Sequence, residues 1–177
     1  MKASDIWEMI YRGAWPSIAH ESNPKMLLTF YKDLLEEITL RDIRQLCHLT
    51  VNKTYLNFLK VLAICSGQEL QINRLAKHSG VCMPTAQRWL QISQACGLVY
   101  LLPGLDLNTG KQTVKRPKIY LTDTGLIAYL LKIDSSMAMS QHPLANRFFE
   151  NFVVMEILKS WRHNGKDANL FHYRNNK

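Results

Sequence analysis

The stretch that most constrains the fold runs from Gln71 to Gly125, because its hydrophobic pattern changes at Gly97. Before that glycine, Leu75, Ala76, Gly80, Val81 and Leu90 fall where a helix-turn-helix buries its side chains. Ala76 is small enough to let a second helix cross close by. Gly80 can take the positive φ that a sharp turn between two short helices needs. The next helix is predicted over Met83–Ala95, with a proline at its start, where a missing N–H costs little. Ala86, Trp89, Leu90 and Ser93 form its buried stripe. Beyond Gly97, Leu98 to Leu102 is an apolar run of strand length. A loop rich in turn residues follows (Pro103, Gly104, Asp106, Asn108, Gly110), and Lys118 to Leu121 reads as a returning strand. Two helices and a hairpin in that order predict a winged helix-turn-helix within a mainly α chain. Winged helices bind nucleic acids and proteins alike, so the fold alone does not choose between them.

The flanks supply further helices. Asn52 to Ser66 reads as the first helix of the winged unit, with Tyr55, Phe58, Leu59, Leu62 and Ala63 on one face. At the N-terminus, Ile6–Tyr11 is a short helix stopped by Gly13. Asn23-Pro24 opens a longer one whose apolar positions are Leu27, Phe30, Tyr31, Leu34, Leu35 and Ile38. Thr39, with Asp42 three residues on, marks a further helix through Leu46. After the wing, Thr122 or Asp123 caps a helix over Leu126–Leu131. Asp134-Ser135-Ser136 loosens the chain and marks a boundary. Pro143 starts a long helix carrying Phe148, Phe149, Phe152, Val153, Ile157 and Trp161, and Gly165 ends it. Leu170 to Arg174 reads as one strand. An isolated strand cannot satisfy its backbone, so this last unit reads as incomplete. The expected organisation is an N-terminal helical region (1–50), a winged helix (51–134) and a C-terminal helix plus strand (135–177).

Charge adds a partner class. The formal net charge is +8, which favours an anionic partner. Lys111, Lys115, Arg116 and Lys118 fall within eight residues with no acid among them. On a hairpin they can follow a phosphate backbone or a narrow minor groove. An ordinary solvated loop would look the same. On the third helix of the winged unit, Thr85, Gln87, Arg88, Gln91 and Gln94 share the outer face. Glutamine pairs bidentately with adenine and arginine with guanine. That face is poor in positive charge, and any exposed helix displays polar residues. The candidate DNA contacts are therefore Thr85, Gln87, Arg88, Gln91, Lys111, Lys115, Arg116 and Lys118.

Enzymatic chemistry finds little support. The four cysteines, Cys47, Cys65, Cys82 and Cys96, contain no Cys-x-x-Cys pair, and His78 near Cys82 does not make a zinc site. No metal or cofactor is expected. Asp33, Glu36 and Glu37 cluster on a helix, but nothing converges on them. Gly104 to Gln112 has one residue too many for a phosphate-binding loop, Gln112 replaces the magnesium-binding Ser or Thr, and a strand follows instead of a helix. No secretory leader is expected, and no apolar run reaches membrane-spanning length. A reduced, cytoplasmic setting is expected.

Several stretches together resemble the C-terminal half of a widespread group of prokaryotic ATPases, which pair an N-terminal AAA-type module with a C-terminal domain of unknown function. The matching pieces are Ile6-Trp7, Arg12-Gly13-Ala14-Trp15-Pro16, Leu40-Arg41-Asp42-Ile43, Leu75-Ala76 with Gly80-Val81, and Lys115-Arg116-Pro117-Lys118 running through Ile119-Tyr120-Leu121 to Thr122-Asp123-Thr124-Gly125-Leu126. Phe149-Glu150-Asn151-Phe152-Val153 and Tyr173-Arg174 complete the set. The order agrees throughout. The resemblance implies a binding module whose ATPase module would lie before Met1. It also implies that Glu150 corresponds to the helix carboxylate that precedes a nuclease-like core. The Asp and Glu-x-Lys of that core have no room here, and Asn146 stands where a glycine is usual. A nuclease needs its metal carboxylates together, so the chain is not expected to be an enzyme. The expected partners are DNA, an ATPase module or other protein chain, and a second copy held through apolar surface near Trp7, Trp15 or Trp161. The alternative to DNA binding is a protein-interaction or ATPase lid domain.

Overall fold

The computed structural model describes residues 3–38, 53–105 and 116–173. The helix expected after Thr39, the piece Leu40-Arg41-Asp42-Ile43 and most of the wing loop, with Lys111 and Lys115, lie outside the described residues.

Helix α1 (Ala3–Arg12) leads through a 3-10 turn (Pro16–Ile18) to α2 (Pro24–Ile38). Asn23 caps α2: its Oδ1 accepts from the Lys25 amide at 3.0 Å. Then come α3 (Lys53–Ile64), α4 (Ile72–Ser79) and α5 (Met83–Ala95). Gly80 closes α4 at φ +71° and ψ +32°. A Cβ there would meet nothing within 4 Å, so the backbone angle requires the glycine and the packing does not. The Val81 amide returns to the Ala76 carbonyl at 3.1 Å, which completes the turn.

Strand β1 (Val99–Leu102) pairs antiparallel with β3 (Lys118–Leu121), with Val99 opposite Leu121 and Leu102 opposite Lys118. The link between α3 and α4 adds to the outer edge of β3. Gly67 donates to the Ile119 carbonyl at 2.8 Å, Ile119 donates to Gln68 at 2.9 Å, and Leu70 donates to Pro117 at 2.7 Å. Three helices, an edge segment and a hairpin make the winged helix-turn-helix that the pattern around Gly97 predicts.

Strand β2 (Gly104–Leu105) pairs parallel with β4 (His172–Tyr173). This corrects the expectation of a C-terminal strand with no partner: its partner is the chain just beyond β1. The His172 ring fixes the same junction, with Nε2 2.9 Å from the Arg116 carbonyl. Since a carbonyl only accepts, Nε2 carries the proton.

Between β3 and β4 the chain forms α6 (Thr124–Leu131), α7 (Ser136–Gln141) and α8 (Ala145–His163). Helix α7 was not expected. The serines at 135–136 read as a loosened boundary, but Ser135 is an N-cap whose hydroxyl accepts from the Ala138 amide. One hydrophobic cluster holds Ile10, Tyr31, Phe58, Leu62, Ile119, Leu126, Met139 and Phe148. It joins all three regions marked off in the sequence. In it Trp89 packs edge-on against Tyr55 and Phe58, with centroids 5.4 and 5.6 Å away. Ser93 donates to the Trp89 carbonyl at 2.8 Å, so its single proton is used and Tyr55 must donate to Ser93 Oγ at 2.9 Å.

Candidate nucleic-acid interface

Helix α5 buries Ala86, Trp89, Leu90, Ile92 and Ser93. That fixes its rotation and leaves Gln87, Arg88, Gln91 and Gln94 exposed. Gln87, Gln91 and Gln94 follow i, i+4, i+7 spacing and therefore form one stripe. They line one side of a groove of about 740 Å³. Gln71 and Asn73, at the start of α4, and Arg116 and Pro117, at the base of the wing, line the rest of its polar rim. The Leu70–Pro117 hydrogen bond holds these two walls together. The groove is rich in carboxamides. Among the described residues, its lining includes one cation, Arg116, and no carboxylate.

Of the eight predicted contacts, the groove brings together Gln87, Gln91 and Arg116. Arg88 lies on the exposed surface of the same helix. Thr85 is half-buried, with Oγ1 3.1 Å from Cys82 Sγ at the helix start. Donation from that hydroxyl to sulfur holds the Cys82 thiol below the usual range. Gln71 and Asn73 were not predicted. Their signal, two polar residues opening α4, gains meaning only once the α3–α4 link pairs with β3.

Lys118 is differently engaged. Its ammonium lies 2.7 Å from Glu150 Oε1, on α8, and the Tyr120 hydroxyl donates to the same oxygen at 2.7 Å. Lys118 therefore ties the wing base to α8 and does not line the groove. This also settles the position of Glu150, which is an internal acceptor at the base of the wing. Next to it, buried Asn151 accepts from the Leu121 amide at 3.0 Å and donates to the Leu121 carbonyl at 2.8 Å. The Ser66 hydroxyl donates to Asn151 Oδ1 as well. Two neighbouring residues of α8 thus dock it onto β3. Among the described residues, no three His, Cys, Asp or Glu side chains are grouped to hold a metal ion. No described helix is long and apolar enough to cross a membrane.

Solved structures give a partial likeness of shape. MepR, a transcription regulator of the Staphylococcus aureus multidrug efflux pump MepA, is matched with a TM-score of 0.35 and 18% identity, over 74% of this chain and 95% of that one. A mutant of S. aureus MepR bound to an oligodeoxyribonucleotide is matched with a TM-score of 0.36 and 20% identity, over 75% and 95%. Two curated relatives are closer in sequence. The uncharacterized proteins Mb2031c of Mycobacterium bovis and Rv2008c of Mycobacterium tuberculosis are each 32% identical over 117 residues, 66% of this chain. The matched stretch is 26% of each relative, so the chain spans about a quarter of their length. Residues 3–137, from α1 into α7, match the model of a family described as a domain of unknown function, DUF8612, and the chain belongs to that family.

Proposed function

We propose that the chain is a non-catalytic winged-helix module that contacts DNA through the outer face of α5 and the base of the wing. The observation that carries this reading is the groove between α5 and Arg116. It sets a stripe of three glutamines beside a cation, with no carboxylate among the described residues of the lining. Glutamine amides both donate and accept, as base edges in a major groove require. Arg116 supplies a phosphate contact that fixes position without reading sequence. Lys111 and Lys115, just before Arg116 in the sequence, would extend that contact. Thr85 and Arg88 would reach the duplex from the start of α5.

We further propose that the module works within a larger ATPase-like assembly. The resemblance described above supports this, as does the match to relatives about four times as long as the shared stretch. The nuclease-like core is not part of the proposal, since Glu150 is taken up by Lys118 and Tyr120.

One observation favours a second reading, a protein-interaction or lid domain without DNA binding: among the described residues, the groove lining carries a single charge. A gel-shift comparison of the wild type with Arg116→Ala separates the two. DNA binding that weakens in the variant supports the first. Equal binding by both proteins overturns the role of Arg116, and absence of binding by either favours the second.

A further inference from the structure

Helix α8 buries Phe148, Asn151, Met155 and Leu158 against the rest of the fold. Its opposite face carries Phe149, Val153, Ile157 and Trp161, which are 42%, 38%, 39% and 45% exposed. Large apolar side chains at four successive i+4 positions form a continuous ridge. The ionised groups of the helix do not interrupt it. Glu150 is held by Lys118, Glu156 by Lys159, and the Arg162 guanidinium sits 6.0 Å from the centroid of the Tyr100 ring. The other exposed positions near the ridge, Asn146, Ser160 and Asn164, are uncharged. Trp7 of α1 extends the ridge at one end, with its ring 6.3 Å from that of Phe149.

We infer that this ridge is the contact through which two copies of the chain associate, α8 against α8 about a twofold axis. The order of the side chains selects a second copy over an unrelated partner. Along the helix it reads aromatic, β-branched aliphatic, β-branched aliphatic, aromatic, and is the same from either end. A twofold axis between Val153 and Ile157 therefore sets Val153 against the partner's Ile157 and Phe149 against the partner's Trp161. An isologous contact requires such self-complementarity. Two i±4 ridges interdigitate when helices cross at about 50°, the commonest packing class. The area sets the strength. Aromatic side chains offer roughly 150–250 Å² each, so four residues at about two-fifths exposure present roughly 300 Å² per protomer. That is well below the roughly 800 Å² per partner of a standard interface. A contact of that size makes a weak, reversible dimer. Like charge on the two copies opposes it, so added salt tightens it.

Sedimentation equilibrium of the full chain tests this from tens of micromolar up to about 1 mM. The wild type is expected to show a monomer–dimer equilibrium. Val153→Glu and Ile157→Lys are each expected to be monomeric, and Met26→Glu, at an exposed apolar position on α2, to dimerise as the wild type does. Mixing the Val153→Glu and Ile157→Lys chains restores a dimer, because the new charges then face each other across the axis. Only folded chains can give that rescue. A wild type that stays monomeric throughout, variants that still dimerise alone, or a mixture that stays monomeric would overturn the inference.

Discussion

The Tyr31 hydroxyl stands 2.6 Å from Asp123 Oδ1, and this contact joins the N-terminal helices to the segment that follows the wing. The Ala14 amide donates to the other carboxylate oxygen at 2.7 Å, and Asp123 also caps α6 through the Leu126 amide at 3.0 Å. Two glycines make room for the contact. A Cβ at Gly13 or at Gly125 would come within 2.1 Å of the Tyr31 oxygen. The stretches Arg12-Gly13-Ala14 and Asp123-Thr124-Gly125, about 110 residues apart, are thus two halves of one joint. Tyr31→Phe removes a donor from a buried carboxylate and is expected to cost about 1–3 kcal/mol. Gly125→Ala, which also meets the Arg12 backbone, cannot be relieved by a side-chain movement. It should destabilise more than Tyr31→Phe in a urea melt.

The same joint predicts the alkaline limit of stability. Burial, then the Asp123 charge, pushes the Tyr31 phenol well above its ordinary value of 10.0. Burial, then the hydrogen bond to Glu150, raises Tyr120 in the same direction. Above about pH 10 the unfolded chain releases these protons and the folded chain keeps them. The folded state then binds more protons, so stability is full below pH 10 and falls as pH rises, by about 1.4 kcal/mol per unit for each phenol. Denaturant melts between about pH 8 and 11 should show this fall, and Tyr31→Phe should make it shallower. Stability that is flat across the range would contradict the assignment.

Trp89 is buried in the face of α5 that fixes the direction of the glutamine stripe. Trp89→Ala is expected to cost roughly 3–5 kcal/mol, as for a large core aromatic. A loss under about 1 kcal/mol in equilibrium denaturation would mean that α5 is held otherwise.

Asn151 is fully buried and satisfies both backbone groups of Leu121. Asn151→Leu leaves that amide, that carbonyl and the Ser66 hydroxyl short of a partner, at about 1–3 kcal/mol for each group left unmet. Amide exchange should then speed up at Leu121. Unchanged exchange there would show that Asn151 does not dock α8.

The start of α5 differs in thiol chemistry from the core. Cys82 is exposed, and hydrogen bonding from Thr85 lowers its thiol; Cys65 is buried, and burial raises its thiol. Mass spectrometry after brief alkylation near neutral pH should find Cys82 modified well before Cys65. Thr85→Val should slow the reaction at Cys82. Equal rates at Cys65 and Cys82 would contradict this geometry.

Local signals carried much of the fold. Gly80 announced the turn between α4 and α5, Asn23 and Asp123 announced helix starts, and the change of pattern at Gly97 announced the hairpin. Each is written within a few residues of where it acts. What was not legible depends on long-range pairing. Strand β4 was legible as a strand, but its partner lies nearly 70 positions earlier, and no period or turn signal could locate that partner. Lys118 belongs to a basic run, and a run of charge does not say which member faces inward. Its partner Glu150 lies on another element. The glutamines of α5 could be read from the helix period. Their assembly with Gln71, Asn73 and Arg116 could not, because it depends on the pairing of Leu70 with Pro117 across the sheet edge.

The most direct test of DNA binding is fluorescence anisotropy of a labelled random duplex, titrated at several salt concentrations. A DNA-contacting groove predicts binding whose log affinity falls linearly with log salt, at about −0.9 per phosphate contacted, and a slope shallower by about one phosphate for Arg116→Ala. Gln91→Ala should leave that slope unchanged and relax base preference, by about 1–3 kcal/mol for each bidentate pairing that alanine cannot make. Absence of binding at low salt, or binding with no salt dependence, would contradict the assignment of α5 and the wing base as a DNA-contacting surface.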